Sequence, residues 1–330
     1  MDTAVIAAGP TTAGTAARHL VHRPQPWERH GRAAVPPVAE EFVLMGDLTS
    51  GHPLFDEGPG HFHDVVAAAD MVREVGEFIG RTHFGVPAER TGIFYRVGVE
   101  VADIGRWRTR PGAAPGRLTT TMGVRPDKVI DGVPRALEFR TALEIDDVPC
   151  GTGTANLVFL APMVHRSHRE HSRLAALGAA AGTGRQEPPG TPVDPEEVGR
   201  RDPGNVLLHD PAGPHNGRLS VGVSLPPHRL GDGAARDGHV PAPVLLESLR
   251  QTSLLAVGRG YGLAPGRSLL ASLQVHVRGY AEADLPLRCA AVAGRPGRDA
   301  AGRRTAALTL TLTQAGRTVL EATTVVVEDH

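Results

Sequence analysis

The sequence predicts an α+β fold of two tandem units, each a curved antiparallel sheet wrapped around one central helix. Three observations lead there. The two halves of the chain repeat the same order of segments, and self-similarity of this kind signals a duplicated unit. Each half holds a single long helical pattern, so helices do not alternate with strands and a doubly wound parallel sheet does not fit. Between the halves, LAALGAAAGTGRQEPPGTPVDPEEVGRR (174–201) is dominated by small residues, Pro and Gly, the composition of a linker.

In the first half, EEFVLMGDL (40–48) reads as a short strand. HDVVAAADMVREVGEFIGRTHFGVP (63–87) then places Val65, Val66, Ala69, Val72, Val75, Phe78 and Ile79 on one broad helical face. Four strand-like runs follow at 92–103, 118–126, 136–146 and 151–162. The second half repeats the series: a strand at 217–225, the helix PAPVLLESLRQTSLLAVGRGYG (241–262), and strands at 268–281, 287–294, 303–314 and 317–329. Leu308, Leu310 and Leu312 alternate with Thr309, Thr311 and Thr313, the period of a half-exposed strand. A helix apolar nearly all round must be covered on most sides, as in the hotdog arrangement, here doubled. The expected boundaries are 1–173 for the first unit with an N-terminal extension, 174–200 for the linker, with Asp194 to Arg200 a short helix or turn, and 201–330 for the second unit.

Composition narrows the function classes. A chain of 330 residues with 41% hydrophobic residues can bury a sizeable core. The net charge of -1 and a positive charge that is almost all arginine, with Lys128 the one lysine, offer no basic stripe for nucleic acid. Cys150 and Cys289 are too far apart for a disulfide scaffold and read as reduced thiols. The N-terminus lacks a basic start followed by an apolar core, and no apolar run is long enough to span a membrane. A soluble cytoplasmic protein is expected, without membrane contact.

The second helix raises the functional question. Glu247, Arg250 and Gln251 are spaced i, i+3, i+4 and share one face inside the apolar run. The bland alternative is an intrahelical Glu247–Arg250 salt bridge on a solvated strip. The flanking leucines argue for a pocket, where a carboxylate and a guanidinium are costly unless paired or used. The first helix repeats the pattern with Asp70, Arg73 and Glu74.

These segments carry a resemblance. VGRRDPGNVLL (198–208) with VLLESLRQ (244–251) resembles the second repeat of the A-factor biosynthesis hotdog family, the γ-butyrolactone synthases of actinomycete secondary metabolism. LVHRP (20–24), EEFVLMG (40–46), GHPLF (51–55) and THFGVP (82–87) resemble its first repeat. The resemblance runs from about residue 20 to the end. His52, Pro53 and Phe55 keep the family's His-Pro-x-Phe stretch, whereas the second half lacks it and has Ala242 where a glycine is usual.

The resemblance implies transfer of a β-ketoacyl group from a carrier-protein thioester, or from acyl-CoA, to the hydroxyl of dihydroxyacetone phosphate or a similar small phosphorylated acceptor. The product ester leads to a butenolide or furan signalling molecule. It implies Glu247 and Arg250 as catalytic residues, Glu247 as a base with its pKa raised by burial and Arg250 on the oxyanion or phosphate. Gln251, Asp70, Arg73, His61 and His239 are the further candidates for binding substrate, the histidines because loop histidines assist in hotdog dehydratases. No cofactor is expected beyond the phosphopantetheine that the substrate carries, and a homodimer is compatible with the fold.

The remaining histidines suggest no metal. His61, His63 and Asp64 form an HxHD cluster without further ligands at a recognised spacing, and His165, His168 and His171 sit among arginines in what reads as a solvated helical linker. No P-loop, dinucleotide fingerprint or nucleophile elbow is present. Two rival functions stay open: a hotdog dehydratase or thioesterase acting on a carrier-bound acyl chain, and a non-catalytic binder of acyl or lactone ligands. Glu247 and Arg250 locked together with no tunnel beside them would favour the binder.

Overall fold

The structure is a computed structural model that describes residues 3–6, 18–23, 39–48, 57, 60–110, 116–183, 190–225 and 238–330. The stretch carrying His52, Pro53 and Phe55 lies outside the described residues.

In the first half the elements are β1 (Thr3–Ile6), β2 (Arg18–Arg23), β3 (Glu40–Asp47), α1 (Val65–His83), β4 (Thr91–Val101), α2 (Ile104–Trp107), β5 (Arg117–Ile130), β6 (Val133–Ile145) and β7 (Val148–Leu160). α3 (Pro162–Thr183) crosses to the second half. There follow β8 (Leu208–His215), β9 (Arg218–Val223), α4 (Ala242–Tyr261), β10 (Ser268–Val277), β11 (Leu287–Ala293), β12 (Gly297–Arg298), β13 (Arg304–Gln314) and β14 (Arg317–Glu328). The strand runs and both helices expected from the sequence are present, within a few residues at each end.

Among the described residues, fourteen strands form one antiparallel sheet in the order β1-β2-β3-β5-β6-β7-β4-β10-β14-β13-β11-β9-β8, with β12 on β13. Read outward from the central β4–β10 pair, the two sides match strand for strand: β4-β7-β6-β5-β3 on one side, β10-β14-β13-β11-β9 on the other. The halves join through a short ladder, from Ser272 opposite Glu100 to His276 opposite Arg96. Four hairpins turn on residue pairs that both have positive φ: Asp131–Gly132, Asp146–Asp147, Asn216–Gly217 and Ala315–Gly316. That is the turn whose twist suits an antiparallel ribbon.

Each half lays its helix on the sheet. α1 starts at Asp64, whose side chain accepts from the Val66 N–H, and buries Val65, Val66, Met71, Val72, Val75 and Ile79. Gly76 and Gly80, one turn apart, let the rings of Phe94 and Phe159 lie directly on the helix backbone. α4 is buried almost all round, from Pro243 to Val257, and ends at Gly262 in the left-handed region. It packs on β8, β9, β11, β13 and β14, on the 3-10 turn Pro195–Val198 and on α1. Its small polar residues bond back along the helix: Ser248 Oγ to the Leu245 carbonyl, Thr252 Oγ1 to Ser248, Ser253 Oγ to Leu249, at 2.7, 2.7 and 2.8 Å. They need no outside partner, so the helix can be buried without orphaned hydroxyls.

α3 extends through the position where the linker was expected to begin, and it is anchored rather than merely solvated. Arg169 donates two hydrogen bonds, of 2.6 and 2.7 Å, to Glu282, and Arg173 a third of 2.8 Å. The Glu282 side chain is fully buried, so α3 clips the end of the first half to the second. Tyr280 completes the contact through a 3.1 Å hydrogen bond with His165. Among the described residues, no helix is long and apolar enough to cross a membrane.

Candidate functional site

The polar face of α4 is a closed network. Glu247 has no exposed surface. Its Oε1 accepts from Arg200 Nε at 2.9 Å, Arg250 Nη2 at 2.9 Å and Gln251 Nε2 at 2.6 Å, and its Oε2 accepts from Arg250 Nε at 2.9 Å. Asp64 adds a second carboxylate, 3.2 Å from Arg200 and 3.9 Å from Arg250. Two acids thus face two guanidiniums, and the charge of Glu57 also acts on Arg250. Gln251 also donates to the Asn205 carbonyl at 2.7 Å and accepts from the Leu207 N–H at 2.9 Å. It pins the RRDPGN segment to the helix and has no surface of its own.

A cleft of about 1260 Å³ opens beside this network, between the two halves. Its wall includes Leu48, Phe62, Met71, Leu118, Ile145 and Leu255, from both halves. Arg250 reaches it, with a side chain 13% exposed. Arg106, Arg108, Arg110 and Arg201 also line it, as do His61 and His63. His61 Nε2 lies 2.9 Å from Asp329 Oδ2, and Arg108 grips the same carboxylate with two bonds of 2.6 Å. Asp329 comes from the far end of the second half, so this dyad also spans the seam. Arg108 and His61 together hold the Asp329 carboxyl well below the usual carboxylate range.

The arrangement corrects several expectations. Burial would raise the Glu247 pKa, but Arg200 and Arg250 outweigh it and hold the group down at about 2. Glu247 is therefore an ionised anchor, not a base. The bland salt bridge of the sequence reading exists, but in the interior rather than on a solvated strip, and a cleft does run beside it. Gln251 binds backbone and Glu247, not the cleft. Asp70 is buried and held by Arg73 through a 2.5 Å bond, and neither lines the cleft. His239 packs edge-on against Tyr280, ring centres 5.3 Å apart, and is likewise absent from the cleft wall. Of the residues expected to bind substrate, only His61 lines the cleft.

Sequence reasoning missed Arg200, Asp64 as its partner, and Asp329. Asp64 had a visible signal, an acid directly before an apolar helical run, the mark of an N-cap. Arg200 stands 47 residues from Glu247, and nothing in spacing could pair them. Burial lowers the His63 pKa against an opposing pull from Asp146, so its imidazole is neutral near pH 7.

The charge network sets an acid limit on stability. The folded-state pKa of Glu247 lies below its ordinary value of 4.5, so its contribution is complete above that pH and disappears as pH falls towards 2. The amount is on the order of 3 kcal/mol. His63 acts in the same direction from its ordinary value of 6.5 downwards, since the folded state resists its protonation. The urea midpoint should therefore decline gently below pH 6.5 and steeply below pH 4.5. Glu247→Gln should make the steep part shallower without abolishing it, since Asp329 titrates in the same direction; parallel profiles for variant and wild type would sink the assignment.

Residues 182–327 match the family model of the A-factor biosynthesis hotdog domain. The matched segment falls within the second half of the chain. It holds Arg200, Glu247, Arg250, Gln251 and the 3-10 turn beneath them. No curated protein matches the sequence significantly. Among solved structures, an acyl-ACP thioesterase from Bacteroides thetaiotaomicron VPI-5482 is 7% identical, covering 87% of this chain and 97% of its own, with a TM-score of 0.48. The 12:0-ACP thioesterase from Umbellularia californica is 11% identical, covering 88% and 94%, with a TM-score of 0.48. A hot dog fold protein from Alicyclobacillus acidocaldarius is 10% identical, covering 87% and 93%, with a TM-score of 0.46.

Proposed function

We propose that the chain is a cytoplasmic acyltransferase that passes a β-ketoacyl group from a carrier-protein or CoA thioester to the hydroxyl of dihydroxyacetone phosphate or a similar acceptor. We read its two halves as tandem hotdog units that share one site. The observation that carries this reading is the seam cleft, where apolar side chains meet arginines and carboxylates, with Arg250 held by a carboxylate that does not itself line the cleft. The volume suits an acyl chain plus a small acceptor.

In this reading the acyl chain lies along Leu118, Ile145 and Leu255. His61 donates from Nε2 to Asp329, which leaves Nδ1 with a lone pair to take the acceptor's proton, the logic of a base oriented by a third group. The acceptor oxygen attacks the thioester carbon, and the oxyanion faces Arg250. Collapse breaks the carbon–sulfur bond, and the leaving thiolate takes the proton back from His61. Arg106 and Arg110 suit the acceptor phosphate. Glu247 does not line the cleft and positions Arg250; Arg200 holds Glu247 from the cleft wall.

His63 favours a second reading. A neutral imidazole in the same cleft could activate water, giving a thioesterase, or exchange protons at the acyl chain, giving a dehydratase. Product analysis separates these. Mixed with a β-ketoacyl thioester and dihydroxyacetone phosphate, the protein should form an acceptor-dependent β-ketoacyl (carboxylic) ester that carries the acceptor's phosphate. Free acid or loss of water without acceptor would move the assignment to hydrolase or dehydratase, and retained ligand without turnover to a binding protein.

A further inference from the structure

We propose that His22, Glu40 and His83 form a binding site for one divalent first-row transition metal ion, with zinc as the probe. One ligand atom from each of the three lies within 4.8 Å of the other two. They come from three separate elements. His22 is on β2 and stands opposite Phe42 of β3. Glu40, two residues before Phe42, shares its face of the pleat and so meets His22 diagonally, with Nε2 and Oε2 2.7 Å apart. His83 closes the group from the last turn of α1.

The cluster is built rather than accidental. The His22 and Glu40 side chains are 19% and 13% exposed. Their floor is Phe42, fully buried, which stacks on the His22 ring at 4.9 Å and meets the His83 ring edge-on at 4.9 Å. The two imidazoles are 4.4 Å apart at their centres. Such packing fixes the ring planes in advance, as a metal site requires. Two imidazoles and one carboxylate are the donor set of a borderline cation such as zinc, with a fourth position for water. Ligands at about 2.1 Å from a tetrahedral ion stand about 3.4 Å apart, so His22 and Glu40 need only open slightly. The C-terminus of α1, where His83 sits, carries the negative end of the helix dipole and favours a cation.

The site lies apart from the seam cleft, since none of the three residues lines it, and the proposal does not rest on the acyltransferase reading. Its consequence is mechanical: an ion would staple β2 and β3 to the end of α1.

The test uses the full-length, tag-free chain, stripped with chelator and dialysed. Titration with Zn²⁺ followed calorimetrically should show about one tight equivalent, and the thermal midpoint should rise with free zinc. Co²⁺ should give the visible absorption of a tetrahedral nitrogen and oxygen donor set, a reading that needs no variant. His83→Ala and Glu40→Gln, checked for folding by far-UV circular dichroism, should each lose that equivalent. Wild-type protein that takes up no zinc, or variants that keep the wild-type stoichiometry, would overturn the site and leave a histidine–carboxylate ion pair.

Discussion

Replacing Arg200 with alanine is expected to lower the unfolding free energy by about 3–5 kcal/mol, the penalty for leaving a buried carboxylate short of its partner. The reason is geometric. Glu247 has no exposed surface, so water cannot replace the lost donor, and Arg200 itself is only 7% exposed. Arg250 alone would then face Glu247 and Asp64, with Glu57 also acting on it. Glu247→Ala should cost less, because the arginines it frees can turn to Asp64 and, for Arg250, to the water of the cleft. Urea unfolding at pH 7 orders the two variants. An Arg200→Ala protein within about 1 kcal/mol of wild type would mean that the carboxylate carries little uncompensated charge. Replacing Arg200, Glu247 and Arg250 together with apolar residues of similar volume should restore much of the stability, yet leave no activity, because Arg250 is gone.

The largest kinetic effect belongs to His61. On the proposed mechanism, His61→Ala should slow ester formation by about 10²–10⁴-fold, the range that a positioned general base supplies. The side chain is 36% exposed, so its removal should barely change the unfolding midpoint, and the loss would be one of turnover. Asp329→Asn tests the orientation separately, since an amide keeps the shape but can present the wrong hydrogen-bonding atom to Nε2. It should lower turnover less than His61→Ala and leave KM near the wild-type value. If ester formation survives His61→Ala at the wild-type rate, the base lies elsewhere, and His63 becomes the residue to replace.

The fold was readable because periodicity recorded it. The alternation through Leu308 to Thr313 and the broad apolar face from Val65 to Ile79 announced β13 and α1 directly. β8 was not visible, because LHDPAGPH carries two prolines and a glycine and pairs irregularly with β9. α3 was half visible, since its alanines and arginines lack an apolar stripe and it is held by charge, through Glu282. At the site, the sequence placed Glu247, Arg250 and Gln251 together because helical spacing is local. It misjudged the chemistry of Glu247 because burial was inferable and two converging arginines were not. Long-range partners such as Arg200 with Glu247, or His61 with Asp329, leave no mark in spacing.

The short β4–β10 ladder at the centre of the sheet has a consequence for symmetry. Two identical protomers meeting at such a seam would present the same acid and arginine twice, on either side of a two-fold axis. One covalent chain is released from that constraint. Here Asp70 and Arg73 have settled into a neighbourly pair on α1, while the matching pair on α4 has recruited a distant third residue and a shared cleft. The seam of one chain therefore carries a single such arrangement, where a symmetric pair would be obliged to build it twice.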